Sequence, residues 1–302
     1  MPRRGRERGG RPEFFLYLPQ MRMDVETITV RAVAAERSGF EGIAFMDHLA
    51  PPLSESAPMF EAMTLAAWVA ARTTDLVVGH LVLCDAMRHP AVLARQAVTI
   101  DHASGGRFEL GMGWGSVPDE LVAYGVTAER PSGRVERLGE SLALIEALWS
   151  GEPVRHRGEH FDVDCAGQQP TPLDRIPIVI GGHGPRTLEL VRRHADWWNL
   201  PVHALDRLEE ARPLIGTAGV STQHLVAYVA SESERESVED LARKRFGGMA
   251  TRLMVGDATE LSAAFAAHHR RGVDRFYVWF TDFAPPATLE SFGERVIRGI
   301  TR

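Results

Sequence analysis

From Glu13 to the C-terminus, short continuous apolar runs alternate with segments whose apolar residues recur every three or four positions. Phe14–Leu18 is a run of the first kind, the pattern of a strand buried on both faces. Further runs of this kind are Gly42–Met46, Leu76–Leu83, Phe108–Met112, Ile176–Ile180, Trp197–Leu200, His224–Val229 and Phe276–Phe280. Between them the spacing predicts helices. The first runs from an N-cap at Asp24 to Ser38 and stops at Gly39, where a left-handed cap suits glycine. Others cover Met59–Arg72, Pro90–His102, Pro131–Trp149, Pro185–His194, Thr259–Arg271 and Ala287–Ile300. Pro90 and Pro185 fall in first turns, where a missing N–H costs nothing. Val135, Leu138, Leu142, Ile145 and Leu148 make one apolar stripe facing a core. Eight strands interleaved with helices predict an α/β fold, a single (β/α)8 TIM barrel over residues 13–302 rather than a doubly wound open sheet. Residues 151–175, rich in glycine, proline and charge, break the rhythm and are expected to be an insertion.

Composition narrows the picture. The 302 residues carry 34 basic and 40 acidic side chains, a formal charge of −6, unevenly spread. Residues 1–11 hold five arginines and one glutamate, so residues 1–12 are expected to form a basic, disordered tail outside the barrel. The remaining body is acidic, which argues against nucleic acid as the partner. No apolar stretch is long enough for a membrane span, and the N-terminus lacks the apolar region of a secretory signal. Two cysteines, Cys84 and Cys165, form neither a CxxC pair nor a disulfide framework, which fits a cytoplasmic location. Lys244 is the sole lysine. It cannot complete a phosphate-binding P-loop, and it lies in a Glu/Arg-rich helical stretch rather than at a strand end, which argues against a Schiff-base aldolase.

In a barrel of this kind chemistry belongs at the C-terminal ends of strands. Asp47 and His48 follow the second strand; a histidine beside a carboxylate serves either as acid/base or as a residue packed under a loop beside a capping aspartate. Gly181-Gly182-His183-Gly184-Pro185-Arg186 joins the fifth strand to a helix, an arrangement that can hold a phosphate on free amides and arginine. Gly111-Met112-Gly113-Trp114-Gly115 either lets a flat ring approach the backbone or relieves crowding at the rim. His156-Arg157-Gly158-Glu159-His160 matches HxxEH, but Pro153 and Gly158 deny it the helix that zinc chemistry requires, so no metal site is expected there. Neither a GxSxG nucleophile elbow nor an HxH strand motif is present. Phe14, Met46, Met59, Phe60, Met63 and Trp114 could line an apolar pocket or belong to the core.

Taken together, several stretches resemble the bacterial-luciferase-like monooxygenase superfamily. They are Ala35–Ile43 with Asp47-His48-Leu49, Arg88–Ala94, Thr99–Asp101, Ser104–Gly111, Gly181–Arg186 with Leu188, and Ala195–Asn199. The resemblance implies a (β/α)8 barrel that binds reduced FMN or the deazaflavin F420 at the strand C-termini. By position, Leu81–Val82 corresponds to a non-proline cis bond against the ring in many members. Trp114, Gly115 and Glu120 fall where members line the cofactor, and Gly181, Gly182, His183, Gly184 and Arg186 match its phosphate end. Asp47-His48 resembles the pair of F420-using members, with the histidine at the reactive edge, which tilts the cofactor toward F420. Where many of those carry a tryptophan soon afterwards, this chain has Ala50, Pro51 and Pro52. His80 and Leu81 stand where polar side chains are common near the cis bond. The implied reaction is hydride transfer with F420, or O2 activation and monooxygenation with reduced FMN, on a small organic substrate. A separate flavin or F420 reductase and a homodimeric assembly are the implied partners. A non-catalytic flavin-binding protein and a metal-dependent barrel hydrolase built on Asp47 and His48 are the alternative readings.

Overall fold

The computed structural model describes residues 10–51, 57–126 and 129–300. Most of the basic N-terminal segment, residues 1–9, lies outside these, as does Pro52. The strands are β1 (Glu13–Tyr17), β2 (Gly42–Phe45), β3 (Val77–His80), β4 (Leu83–Cys84), β5 (Leu110–Gly113), β6 (Val154–Arg157), β7 (Asp162–Cys165), β8 (Ile178–Gly181), β9 (Trp197–Leu200), β10 (Gly219–Tyr228), β11 (Leu253–Gly256) and β12 (Arg275–Phe280). The helices are α1 (Val25–Arg37), α2 (Ala62–Ala70), α3 (Pro90–Ser104), α4 (Pro118–Ala123), α5 (Pro131–Trp149), α6 (Pro185–His194), α7 (Leu208–Ala211), α8 (Arg235–Phe246), α9 (Ala258–Arg270) and α10 (Pro286–Phe292).

Nine strands run parallel in the order β3-β2-β1-β12-β10-β9-β8-β5-β4. β3 and β4 are two halves of one stave, the predicted strand Leu76–Leu83, parted at Leu81–Val82, whose peptide bond is cis. The ring closes where Val78 donates to Arg107 (2.8 Å) and accepts from Glu109 (3.0 Å). This is the expected eight-stave barrel, with β11 added beside the far half of β10 where β9 has ended.

Alternation along each stave separates two cores. On β1, Phe14 and Leu16 face the helices, and Phe14 meets Phe265 of α9 edge-on at 5.3 Å. Phe15 and Tyr17 point into the barrel with Ala44, Met46 and Tyr277. Toward the N-terminal ends of the staves, Arg275 fills the interior. Its guanidinium lies 4.0 Å from the Phe15 ring and 3.7 Å from Trp197, and it donates to Glu109 at 2.7 and 3.0 Å and to Glu13 at 2.8 Å. That end is therefore plugged, and the opening lies at the other.

The 151–175 insertion holds an antiparallel hairpin of β6 and β7 that apolar periodicity did not announce, because half of its residues are charged and solvent-facing. It is anchored to α5. Glu140 accepts from the His160 and Phe161 amides and pairs with His156 at 2.8 Å. Phe161 lies under Arg137 (4.9 Å) and edge-on to His89 (5.5 Å), and Arg137 binds the Asp85 carboxylate and the carbonyls of Asp85 and Arg88. His156 sits on a strand and His160 in the following turn, so the HxxEH residues share no helix face.

Candidate active site

A cavity of about 330 Å³ opens at the C-terminal ends of β2, β4, β5, β8 and β9. Of the residues singled out in the sequence, Asp47, His48, Leu81, Val82, Trp114, Gly115, Glu120, Gly181, Gly182 and His183 all line it. Gly184 and Arg186 stand outside that lining: Gly184 caps α6, and Arg186 pairs with Glu136 on α5. Met46 and Trp114 belong to the wall, whereas Phe14 is fully buried in the outer core.

Asp47 and His48 are neighbours in sequence but have different partners. His48 Nδ1 lies 2.8 Å from Glu120 Oε2, and Glu120 Oε1 accepts from the amides of Leu49 (2.6 Å) and Ala50 (3.1 Å). A carboxylate receiving these donors is an acceptor, so Nδ1 carries a proton, and in the neutral ring the lone pair is on Nε2. Asp47 instead accepts from the Cys84 amide (2.7 Å) and grips Arg88 through both oxygens. Arg88 also binds Glu61 at 2.7 Å. Burial alone would depress the Arg88 guanidinium, but Asp47 and Glu61 outweigh it and its pKa is raised. Burial would raise Glu61, yet the Thr64 and Met63 amides and Arg88 bring it to about 2. Asp47 thus ties the end of β2 to the kinked stave, and Glu120 is the carboxylate facing His48.

The wall opposite depends on two glycines. A Cβ on Gly111 would stand 1.9 Å from the His80 carbonyl oxygen, and one on Gly113 would stand 2.6 Å from Val82. Of the two sequence readings for this stretch, relief of crowding describes Gly111 and Gly113. Trp114 lies against Arg134, whose guanidinium is 4.8 Å from the indole and donates to the Gly115 carbonyl. His80, behind the wall, is driven by burial to about 4; its Nε2–H donates to the Ala62 carbonyl at 3.2 Å. At the far end, α6 starts at Gly184 without a side-chain cap, leaving first-turn amides open. Gly182 holds φ +124° there.

These features fit a flavin or deazaflavin: an apolar wall of Leu81, Val82 and Trp114 for a flat ring, and an uncapped helix start for a phosphate. Sequence reasoning named most of this surface but missed Arg88 and Glu61, which secure Asp47, and Asn199, which lines the cavity at the end of β9. Arg88 was visible only within the Arg88–Ala94 stretch, as a cation just ahead of a helix's first proline.

A parallel barrel with its cavity at the strand C-termini and a glycine-rich turn into an uncapped helix is a frame for a phosphate-bearing ring cofactor. The sequence pattern of the luciferase-like monooxygenases matches residues 7–274, and the chain belongs to that family. It is 37% identical over 166 residues to an F420-dependent glucose-6-phosphate dehydrogenase of Nakamurella multipartita, a match covering 55% of this chain and 49% of that protein. It is 34% identical over 178 residues to an F420-dependent hydroxymycolic acid dehydrogenase of Mycobacterium tuberculosis, covering 57% and 48%. The chain thus spans about half the length of the curated relatives it matches. Among solved structures, an F420-dependent secondary alcohol dehydrogenase bound to an F420–acetone adduct superposes with a TM-score of 0.82 at 17% identity, over 97% of this chain and 99% of that one. The EDTA monooxygenase of Chelativorans superposes with a TM-score of 0.80 at 17% identity, over 96% and 95%. These two likenesses show the shared barrel fold.

Proposed function

We propose that the protein is an F420-dependent oxidoreductase that moves a hydride between the cofactor and a hydroxyl- or carbonyl-bearing carbon of a small organic substrate. The observation that carries this reading is the His48–Glu120 pair, set in the same cavity as the apolar wall of Leu81, Val82 and Trp114. When bound, the deazaflavin supplies the hydride acceptor or donor. His48 Nε2 takes the hydroxyl proton as the substrate is oxidised, or returns it in the reverse direction. Glu120 fixes the tautomer and orientation that make Nε2 the base. Asp47 acts through Arg88 and Cys84, holding the strand ends on which His48 and the wall depend. Gly115 lines the ring's flank; Gly181, Gly182, His183 and Gly184 offer backbone to the phosphate, with Arg186 as a cation able to exchange Glu136 for it. The curated relatives, dehydrogenases named for F420, support F420 over FMN.

The proposal extends to a cytoplasmic homodimer served by a separate enzyme that recycles the cofactor. Two free cysteines agree with that compartment, and among the described residues no helix is long and apolar enough to cross a membrane. Mass photometry would read twice the 33.4 kDa chain.

The test is separate fluorescence titrations with F420 and FMN. F420 should bind saturably and at least about tenfold more tightly; binding of neither would overturn the assignment. His48→Ala should keep F420 affinity and lower turnover about 10²-fold or more. Unchanged turnover would retire His48 as the base.

A further inference from the structure

We infer that the substrate is an uncharged molecule with an apolar body, such as a medium-chain secondary alcohol or ketone, and not a phosphorylated sugar. This rests on the reading above and specifies what the same cavity takes. The first support is charge. Among the described residues lining the cavity there is no lysine or arginine. Arg88, the guanidinium bound to Asp47 next to His48, is held by Asp47 on one side and Glu61 on the other. Glu120, on His48, adds a third carboxylate to this end of the site. Arg134 is 5% exposed: its guanidinium lies against the Trp114 ring, donates to the Gly115 carbonyl and keeps its unpartnered Nε buried, so it offers a substrate phosphate no accessible surface. An anion entering beside His48 would meet the carboxylates of Asp47, Glu61 and Glu120, with the Arg88 cation already paired. The uncapped start of α6 lies at the opposite end, where the cofactor phosphate is proposed.

The second support is the apolar surface continuing from wall to mouth. Met46, Met87 and Leu121 line the interior together with Leu81, Val82 and Trp114. At the rim, Val117 faces the cavity and is 41% exposed, and Leu49 is 43% exposed. Tyr124 joins them by donating to the Leu49 carbonyl at 3.3 Å. The hydrogen bonds that fix Glu120 on the Leu49 and Ala50 amides are the same ones that hold this rim beside His48. A chain attached to a carbon at His48 Nε2 would leave the site over Val117, Leu49 and Tyr124.

The test has two arms. In the first, F420 is bound and its reduction is followed with 2-alkanols from 2-propanol to 2-octanol and with glucose 6-phosphate. The expected result is a rise in kcat/KM of about three- to fourfold per methylene until the cleft is filled, with glucose 6-phosphate below 2-octanol. A flat series, or glucose 6-phosphate as the better substrate, overturns the inference while leaving the F420 reading intact. In the second arm, cofactor-free protein binds the neutral probe N-phenyl-1-naphthylamine, and the same compounds compete for it. Longer alkanols should displace it more tightly, glucose 6-phosphate should not, and Val117→Asp should weaken probe binding at least fivefold. Aspartate is a favoured residue at this helix N-cap, so the variant keeps α4. Unaltered probe affinity in that variant, or displacement by the sugar phosphate alone, overturns the inference. This arm reads out even if F420 does not bind, so the two failures are told apart.

Discussion

Replacing Arg275 by methionine removes the cation from a barrel interior that holds two acids for it. The guanidinium is 3% exposed and Glu109 6%, so solvent cannot take over the lost partner. Breaking a buried pair on one side costs about 3–5 kcal/mol, because the remaining charge is stranded. Spread over the unfolding entropy of 302 residues, that lowers Tm by roughly 5–8 °C. The sign of the pH effect follows from Glu109. Burial already raises its pKa with Arg275 present, and without it the rise is greater. In the variant, the folded state then binds a proton that the unfolded chain releases, so its deficit shrinks as pH falls from 7 to 5. Arg275→Met/Glu109→Gln removes the two most buried charges, leaving Glu13, whose side chain is 19% exposed and open to water, and should recover most of the loss. Thermal and urea melts of wild type, both single variants and the double variant provide the cycle. A single variant melting within about 1 °C of wild type, or a double variant no better than Arg275→Met, would refute the reasoning.

Three further outcomes are expected. Glu120→Gln should lower kcat about tenfold or more with F420 affinity nearly kept, because an amide can also donate toward Nδ1 and no longer enforces one tautomer; equal kcat in single-turnover assays counts against the pair. Gly111→Ala should cost about 3 kcal/mol, since its Cβ would lie 1.9 Å from a backbone oxygen that cannot swing away; a wild-type melt would contradict the packing. Burial lowers His224 from 6.5 to about 3, with repulsion from the neighbouring His268 ring a smaller cause, so its stabilising share is present above pH 6.5 and lost as pH falls toward 3. Between pH 7 and 5 this amounts to about 2 kcal/mol, and His224→Gln should flatten the wild-type pH dependence by that much in urea melts.

What the sequence disclosed follows from which forces leave a local trace. Staves buried on both faces read as unbroken apolar runs, and Trp197–Leu200 matches residue for residue. Helix starts were equally legible: Asp24 caps α1 by accepting from the Thr27 amide, and α5 and α6, each opened by a proline, begin and end at the predicted residues. The predicted strand His224–Val229 is longer in the fold, because β10 pairs with β9, β11 and β12 at different points along its length. The closing helix is interrupted by a π turn at Gly293–Ile297. The parting of β3 from β4 leaves no mark in hydrophobic pattern, since Leu81 and Val82 continue the run; family resemblance alone pointed to it. The partner of His48 was hidden for a different reason. Asp47 is adjacent in sequence and Glu120 is 72 residues away, but successive residues at a strand end diverge, and only the closed ring brings α4 over β2.

The hairpin on α5 has a mechanical consequence. Phe161 sits beneath Arg137 and against His89, and Arg137 holds the turn from Asp85 to Arg88 by side chain and backbone alike. Arg88 in turn secures Asp47. The inserted segment is therefore a splint, reaching the strand end that carries Asp47 and His48 through three side chains, and is not a passive loop. Any redesign that shortens it must supply another support under His89, or the loosening will be felt two staves away.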